Sequence, residues 1–166
     1  TSTAQEIDIT ESYVRIMQER DKRQFVLEWI VDCSCKQLKI PRMIFQPLVE
    51  NSIMHGFDEQ CPHPRIRIRI SRRKDTVRIR LTDNGVGMDR ETLKNLREKL
   101  AAENSSTENI GLCNTSHRLR IVYGAASGIH IFSIQSKGTC VYFDIPPGVR
   151  PGNGMEADGE SADSLH

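Results

Sequence analysis

The sequence lacks a membrane-spanning segment, a signal-like segment and a large net charge. No apolar run approaches the ~20 residues that a membrane-spanning helix requires, and the chain opens with the polar stretch TSTAQEIDIT instead of a signal-like segment. The formal net charge of the 166 residues is only +1, which predicts no general attraction to nucleic acid or to a membrane surface. We therefore expect a soluble, single folded domain that does not span a membrane.

Disulfide and metal frameworks are missing as well. The five cysteines are odd in number and scattered, which is typical of reduced thiols in a cytoplasmic protein. Cys33 and Cys35 could contribute to a zinc site, but no second pair of Cys or His residues stands at ligand spacing. We therefore expect these thiols to be structural.

The sequence does contain regular hydrophobic periodicity. The spacing predicts helices over 10–21, 40–57, 89–102 and 112–124, and strands over 24–31, 65–71, 76–82, 128–135 and 139–145. Thr10 is the predicted cap of the first helix, Pro41 the first residue of the second, and Pro47 a bend within it. Residues 103–109 are polar and predict a mobile lid, and residues 147–166, rich in Gly, Pro and acids, predict a disordered tail.

Two neighbouring strands alternate strictly between apolar and charged residues. RIRIRIS (65–71) and TVRIRLT (76–82) predict an antiparallel hairpin with isoleucine, valine and leucine on one face and arginine on the other. Such an arginine face could bind nucleic acid, but a solvated face is the more common use of this pattern. We therefore expect no nucleic-acid partner.

The loop LTDNGVGMD (81–89) follows the second of these strands and has no common metal or phosphate pattern. Its glycines fall at the wrong positions for an EF-hand, and it lacks both the third glycine of a dinucleotide fingerprint and the Gly-Lys-Ser/Thr of a Walker loop. What remains is a carboxylate at a strand end and a glycine turn. Asp83 could accept a hydrogen bond from the exocyclic amine of adenine, although a loop of this kind, taken by itself, is more often a plain hairpin turn.

Three other short stretches give this loop a context. Glu50 and Asn51 lie away from the main apolar face of the predicted helix 40–57, so we expect them to face a cavity. An amide oxygen such as that of Asn51 is a suitable ligand for Mg²⁺ that is shared with substrate phosphates, and Glu50 could act as a base. Two further glycine turns follow, at Ile110-Gly111-Leu112 and Lys137-Gly138-Thr139.

Together these motifs resemble a known family. QPLVENSIMHG (46–56), DNGVGM (83–88) and IGLCNTSHRLRIVYG (110–124) are similar to the N, G1 and G2 boxes of the catalytic ATP-binding domain of sensor histidine kinases. That domain belongs to the GHKL superfamily, together with DNA gyrase, a heat-shock chaperone and the MutL proteins. The closest resemblance is to the LytS/YesM-like subgroup. Three motifs in family order over most of the chain make a chance similarity improbable.

The resemblance implies an α+β fold of the Bergerat or GHKL type. This is a two-layer α/β sandwich, in which a mixed, mostly antiparallel sheet carries helices on one face and ATP binds between helices and lid. It also implies three parts of the chain: an N-terminal helical segment over 1–22 that leads from a missing phosphoacceptor region, the ATP-binding catalytic domain over 23–146, and the tail over 147–166.

By matched position, the resemblance also implies an adenine end of the site. Asp83 would receive the adenine amine, Gly85 and Gly87 would shape the base pocket, and Thr139 would pack near it. Met88 would begin the lid and border the ATP.

The resemblance implies a phosphate end as well. Asn51 would hold Mg²⁺, Glu50 would be the catalytic base or polarising residue, and Gly111 and Leu112 would let a helix N-terminus approach the phosphates. His55 either contacts ATP or is a satisfied histidine at the edge of the core. The family commonly has Lys or Arg at the position of Met54, so one phosphate-facing charge is missing.

The phospho-accepting histidine of this subgroup lies in an Asn-Pro-His-Phe type of helix, which this sequence does not contain. No such context surrounds any histidine of the chain, namely His55, His63, His117, His130 and His166. The resemblance therefore implies two partners, which are an upstream dimerisation segment that carries the histidine and a response regulator of LytTR or AraC type. It also implies the cytoplasmic part of a membrane-anchored bacterial sensor kinase.

Two other functions stay open at this point. A gyrase-like ATPase would use Glu50 to activate water, although the short lid and the lack of a transducer domain argue against it. A degenerate domain would bind nucleotide weakly or only dock a partner, and Met54 keeps that alternative open, whereas Asn51, Asp83 and the glycines argue against it.

Overall fold

The alternating segments of the chain form one five-stranded sheet. The computed structural model describes residues 1–21, 24–58, 61, 63–102 and 110–146. Its strands are β1 (Val26–Val31), β2 (Arg65–Arg72), β3 (Val77–Asp83), β4 (His130–Ile134) and β5 (Gly138–Ile145). They lie in the order β1-β2-β3-β5-β4, and β1 pairs with β2 in parallel while all other pairs are antiparallel. The mixed, mostly antiparallel sheet is confirmed.

The pleat of the sheet separates its two faces. Ile68 of β2 lies opposite Leu81 of β3, and Ile79 of β3 lies opposite Phe143 of β5, all of them buried under the helices. Arg69 and Arg80 face each other on the open side. Side chains alternate along a strand, so residues two positions apart share a face. Asp83 therefore projects toward the helices like the buried Leu81, and Thr139 does so like the buried Val141.

In the part of the chain that the structure describes, four helices cover the apolar face. They are α1 (Thr3–Asp21), α2 (Gln46–Asn51), α3 (Arg90–Ala101) and α4 (Ile110–Tyr123), and α2 continues into a turn of π-helix over Ser52–Gly56. Short 3₁₀ turns occupy Cys33–Cys35 and Ala125–Ser127. The core between the layers is built from apolar side chains of every strand and helix, including Val14, Phe45, Val49, Ile66, Leu96 and Leu119. This is the expected two-layer α/β sandwich.

Two helix starts differ from the sequence prediction. Helix α1 begins at Thr3 and not at Thr10, which is buried within the helix and donates its hydroxyl to the carbonyl oxygen of Glu6 at 2.7 Å. Helix α2 begins at Gln46 and not near Pro41. Residues 41–45 are not helical, and Met43 among them has a φ of 54°, which a right-handed helix does not allow. Pro47 consequently lies in the first turn of α2, where proline is tolerated, so the predicted bend is absent.

The other predicted elements are found within a few residues of their predicted bounds. Asp89 caps α3 by accepting the backbone N–H of Thr92 at 2.7 Å. The predicted lid over 103–109 and the predicted tail over 147–166 lie outside the described residues, and the division of the chain at residues 22 and 146 stays a prediction. Within the described part of the chain, no helix is both long and apolar enough to cross a membrane.

Candidate functional site

A cleft of about 390 Å³ opens between the carboxyl end of β3, the start of β5 and the helices. Three helical elements line it, together with the loop that follows β3. The lining residues are Asn51, His55, Gly56, Asp83, Gly87, Met88, Thr92, Asn95, Leu96, Lys99 and Thr139. The cleft therefore brings together residues of the first two motifs and of the turn before β5.

Asp83 is the central polar group of this cleft. One carboxylate oxygen accepts the backbone N–H groups of Gly85 at 3.0 Å and of Thr139 at 3.1 Å, and the other accepts the hydroxyl of Ser52 at 2.9 Å. Burial raises the pKa of the Asp83 carboxyl above its usual range, while these three hydrogen bonds act in the opposite direction. Asp83 is thus an oriented acceptor in a partly dehydrated place.

The two glycines of the loop let it approach other parts of the backbone. A Cβ atom on Gly85 would lie 1.9 Å from the carbonyl oxygen of Gly56. Gly87 has a φ of 65°, and its Cβ would lie 2.0 Å from the carbonyl oxygen of Ile134. The resemblance implies that these glycines shape the base pocket, and the close approach that the structure shows is to the chain's own backbone. Of the two, Gly87 borders the cleft.

The π-helical turn after α2 positions the second motif. Its wider winding keeps Ser52 buried and places its hydroxyl on Asp83, while Gly56 accepts the backbone N–H of Val86 at 2.7 Å. Turns of this type occur frequently at functional sites. The turn thereby joins the loop after β3 to the helix that carries Glu50 and Asn51.

A second depression of about 210 Å³ adjoins the first at Asn51 and His55, which line both. Its other lining residues are Pro47, Glu50, Met54, Gly111 and Leu112. The carboxylate of Glu50 accepts the side-chain amide of Gln46 at 3.1 Å. Gly111 and Leu112 belong to the first turn of α4, where the backbone N–H groups have no partner within the helix.

The predicted site residues therefore fall into two connected groups. Asp83, Gly87, Met88 and Thr139 lie in the larger cleft, and Glu50, Gly111 and Leu112 lie in the smaller depression. Met54 is 62% exposed at the rim of the smaller depression, and His55 is exposed as well. The side chain of Leu112 is buried, so its contribution to the depression is its backbone.

Several residues that line the cleft, or that hydrogen-bond to its lining residues, were not predicted from the sequence. Ser133 of β4 accepts the backbone N–H of Met88 at 2.8 Å and lies 2.9 Å from the hydroxyl of Thr139. Thr92, Asn95 and Lys99 lie on one side of α3, and their spacing of three and four residues was the available signal. Ser52 also gave a signal, since it is a polar residue on the otherwise apolar face of its helix.

The comparisons with known proteins agree with this geometry. The family model described as histidine kinase-, DNA gyrase B-, and HSP90-like ATPase matches residues 37–149. The chain belongs to this ATPase family. The match includes both depressions and all three motifs, and the family implies ATP binding.

Curated relatives place the chain among the sensor kinases of this family. An uncharacterized sensor-like histidine kinase of Staphylococcus epidermidis is 35% identical over 143 residues, and the sensor protein kinase HptS of Staphylococcus aureus is 30% identical over 142 residues. Each alignment covers 86% of this chain but only 28% and 27%, respectively, of the relative. The chain is thus a catalytic ATP-binding domain of the sensor histidine kinase type, as predicted, and its LytS/YesM-like subgroup stays a prediction.

Solved structures agree on the fold of the family. The nucleotide-free catalytic domain of the histidine kinase ThkA aligns with a TM-score of 0.63 and 18% identity, covering 91% of this chain and 96% of that domain. The histidine kinase domain of a blue-light activated kinase from Erythrobacter litoralis aligns with a TM-score of 0.54 and 14% identity, covering 80% of this chain and 56% of that chain. The GHKL fold is confirmed.

Gly85→Ala is expected to destabilise the chain because its Cβ would collide with the carbonyl oxygen of Gly56, and such overpacking costs about 1–3 kcal/mol or more. Urea unfolding measures the effect. Gly111→Ala is the matched control, because its Cβ would lie 3.5 Å from the Cβ of Pro47, an ordinary contact. Equal free energies of unfolding for Gly85→Ala and the parent would contradict the close approach of the two backbones.

Asp83→Asn is expected to change how stability depends on pH. Because burial raises the pKa of Asp83, the unfolded chain releases this proton first as the pH rises. The free energy of unfolding of the parent, relative to that of Asp83→Asn, should therefore decrease as the pH rises from the usual pKa range of an Asp to the raised pKa of Asp83. Above the raised pKa it should stay constant. Urea unfolding over a pH series measures it. An asparagine keeps the acceptor for Gly85 and Thr139 and can donate to Ser52, so the variant is expected to fold.

Asp89 provides a control of opposite sign for that experiment. The backbone N–H of Thr92 holds the pKa of the exposed Asp89 carboxyl below its usual range. The parent should therefore gain stability relative to Asp89→Asn as the pH rises through that range. The same pH trend for both variants would show that the raised pKa of Asp83 is wrong.

Proposed function

We propose that this chain binds Mg²⁺·ATP and supplies the catalytic half of a histidine autokinase. The γ-phosphoryl group would pass to a histidine on a dimerisation segment outside these residues. The observation that carries the proposal is the partly buried, hydrogen-bonded Asp83 at one end of a cleft whose other end meets the N-terminus of α4. Asn51 stands between the two ends.

The adenine end is assigned from the acceptor capacity of Asp83. An ionised carboxylate offers about four acceptor positions and no donor. Ser52, Gly85 and Thr139 use three of these positions. The remaining position suits an amine that donates a hydrogen bond. Adenine carries such an amine and guanine carries a carbonyl at the same place, so Asp83 would select ATP over GTP.

The phosphate end is assigned from the N-terminus of α4. The N–H groups of a first helical turn and the helix dipole favour negative charge, and Gly111 and Leu112 belong to that turn. Met54 provides no charge there. Lys99 of α3 lines the larger cleft and brings a cation into the site from another element.

The residues present fit a magnesium ion that is held mainly by phosphates. Asn51 brings one side-chain oxygen to the boundary of both depressions. The described residues contain no group of three or more His, Cys, Asp or Glu side chains that could form an all-protein cage. Mg²⁺ usually keeps several waters and shares its shell with substrate phosphates. Asn51 would therefore hold the ion, which supplies neutralisation of phosphate charge.

Glu50 is the proposed catalytic residue. Gln46 donates to its carboxylate and orients it at the rim of the smaller depression. In the proposed transfer, a ring nitrogen of the incoming histidine attacks the γ-phosphorus and ADP leaves. Glu50 would accept or polarise the proton of the other ring nitrogen. In the gyrase-like alternative the same carboxylate would activate water.

The relatives support partners outside this chain. Both curated relatives are named as sensor kinases, and this chain spans little more than a quarter of each, at 28% and 27%. We propose that the intact protein also holds the dimerisation segment, sits in the cytoplasm as part of a membrane-anchored sensor, and signals to a response regulator of LytTR or AraC type.

Calorimetric titration tests the adenine assignment. The parent is expected to bind Mg²⁺·ATP and to prefer it over Mg²⁺·GTP, and Asp83→Asn should weaken ATP binding about tenfold or more, the cost of roughly 1.4 kcal/mol in a lost hydrogen bond. Asp89→Asn makes the same change on an exposed carboxylate and should bind like the parent. No binding by the parent would reduce the chain to a degenerate or docking module.

Phosphoryl transfer tests the kinase assignment. A separately prepared phosphoacceptor segment of the same kinase is mixed with this chain and γ-labelled ATP. The segment should be labelled, and Asn51→Ala and Glu50→Gln should each lower the rate about 100-fold or more, a typical contribution of a positioned charge or proton acceptor. Release of free phosphate without labelling would instead favour the gyrase-like ATPase. Transfer that survives Asn51→Ala contradicts the magnesium assignment.

A further inference from the structure

Glu6 of α1 is fully buried, at 0% exposure. It precedes the first residue of the cleft, Asn51, by 45 positions in the sequence. One of its oxygens accepts the backbone N–H of Met43 at 2.9 Å and the other accepts that of Ile44 at 3.1 Å. Within the described residues it has no ion pair. A buried carboxylate is costly unless it is hydrogen-bonded, so these two bonds are what keeps it there.

Both bonds go to the segment that leads into α2. Residues 41–45, which we call the junction, end at Phe45, and Gln46 begins the helix that carries Glu50 and Asn51. Ile44, Phe45, Leu48 and Val49 are all nearly inaccessible in the core. A tightly packed stretch of this kind moves as a unit. The position of the junction therefore sets the position of Asn51.

The junction also contacts the helix on the other side of the phosphate end. The guanidinium of Arg118 in α4 donates to the carbonyl oxygen of Arg42. Helix α4 begins with the turn that contains Gly111 and Leu112. Three helices thus meet at the junction, and two of them, α2 and α4, form the walls of the smaller depression.

We propose that Glu6 is a positioning residue for the phosphate end of the site, and that it couples the place of α1 to both walls of the smaller depression through the junction. The hydrogen bond from Arg118 to Arg42 connects the junction to α4. The proposal rests on the proposed function in so far as that depression holds phosphates.

The physical reason is the short range of a hydrogen bond. If α1 shifted by more than about 1 Å relative to the junction, both bonds to Glu6 would pass their working range and leave a buried carboxylate and two N–H groups without partners. It is less costly for the junction to follow the helix. Residues 1–3 strengthen the same connection, since Thr3 donates to the carbonyl oxygen of Leu38 and Ile40 donates to that of Thr1, both at 2.9 Å.

Glu6→Gln tests the coupling, because an amide has the same shape but turns one acceptor into a donor that faces a backbone N–H. Thr10→Val is the matched control on the same helix, since that buried hydroxyl donates only to the carbonyl oxygen of Glu6. Without nucleotide, hydrogen exchange at residues 50–56 and 110–116 is expected to speed up about fivefold or more in Glu6→Gln, within the usual range of couplings between sites. In Thr10→Val it should change only as global stability does.

Ligand binding gives a second readout. Glu6→Gln should weaken Mg²⁺·ATP about fivefold or more and leave adenosine, which lacks phosphates, bound as in the parent. If hydrogen exchange in both Glu6→Gln and Thr10→Val changes only as global stability does, the proposal is overturned, whether or not the parent binds nucleotide. Faster local exchange in Glu6→Gln, together with a parent that does not bind ATP, would support the coupling and contradict the proposed function.

Arg118→Gln keeps the proposal testable if Glu6→Gln does not fold. Arg118 is exposed, so its loss should not unfold the chain. Faster exchange over residues 110–116 is expected with little change in global stability. Unchanged exchange there would overturn the junction as a coupling element.

Discussion

A partly buried carboxylate at the end of β3, that of Asp83, organises the site, and the elements around it are arranged to satisfy that group. Ser52 comes from the π-helical turn, Gly85 from the loop after β3, and Thr139 from the first residues of β5. Each donor belongs to a different part of the chain, so satisfying one charge fixes three backbones relative to one another. The cleft is the space that these backbones leave beside Asp83.

Backbone contacts at glycine are the second constraint. Gly85 and Gly87 let the loop after β3 touch the π-helical turn on one side and the end of β4 on the other. Val86, between them, donates to Gly56 and accepts from Ser136 at 2.6 Å, so the loop is held at both sides. A rigid loop of this kind keeps the ligand-facing edge of Asp83 in place without using any ligand contact. The proposed adenine end is thus preorganised, which would lower the cost of binding.

The smaller depression, the proposed phosphate end, is built differently, from helix ends and not from a loop. Its walls are α2 and α4, and the position of both depends on residues 41–45, which Glu6 and Arg118 hold. One end of the site is therefore fixed by the sheet and the other by the helical layer. This division offers a physical way for the N-terminal helix to act on the phosphates while the base pocket stays unchanged.

The sequence by itself determined the elements whose pattern is local, and also the family. Alternation in RIRIRIS and TVRIRLT predicted β2 and β3 closely, and three ordered motifs predicted the family. Most of the residues that these motifs singled out line the two depressions, and their roles stay a prediction. Only the tertiary structure decided the start of α1, the junction, the π-helical turn, and the hydrogen-bond partners of Ser52, Ser133 and Glu6. Periodicity reports which side of an element is apolar. It does not report which distant N–H group a buried oxygen will accept, and Glu6 and Met43 are 37 residues apart.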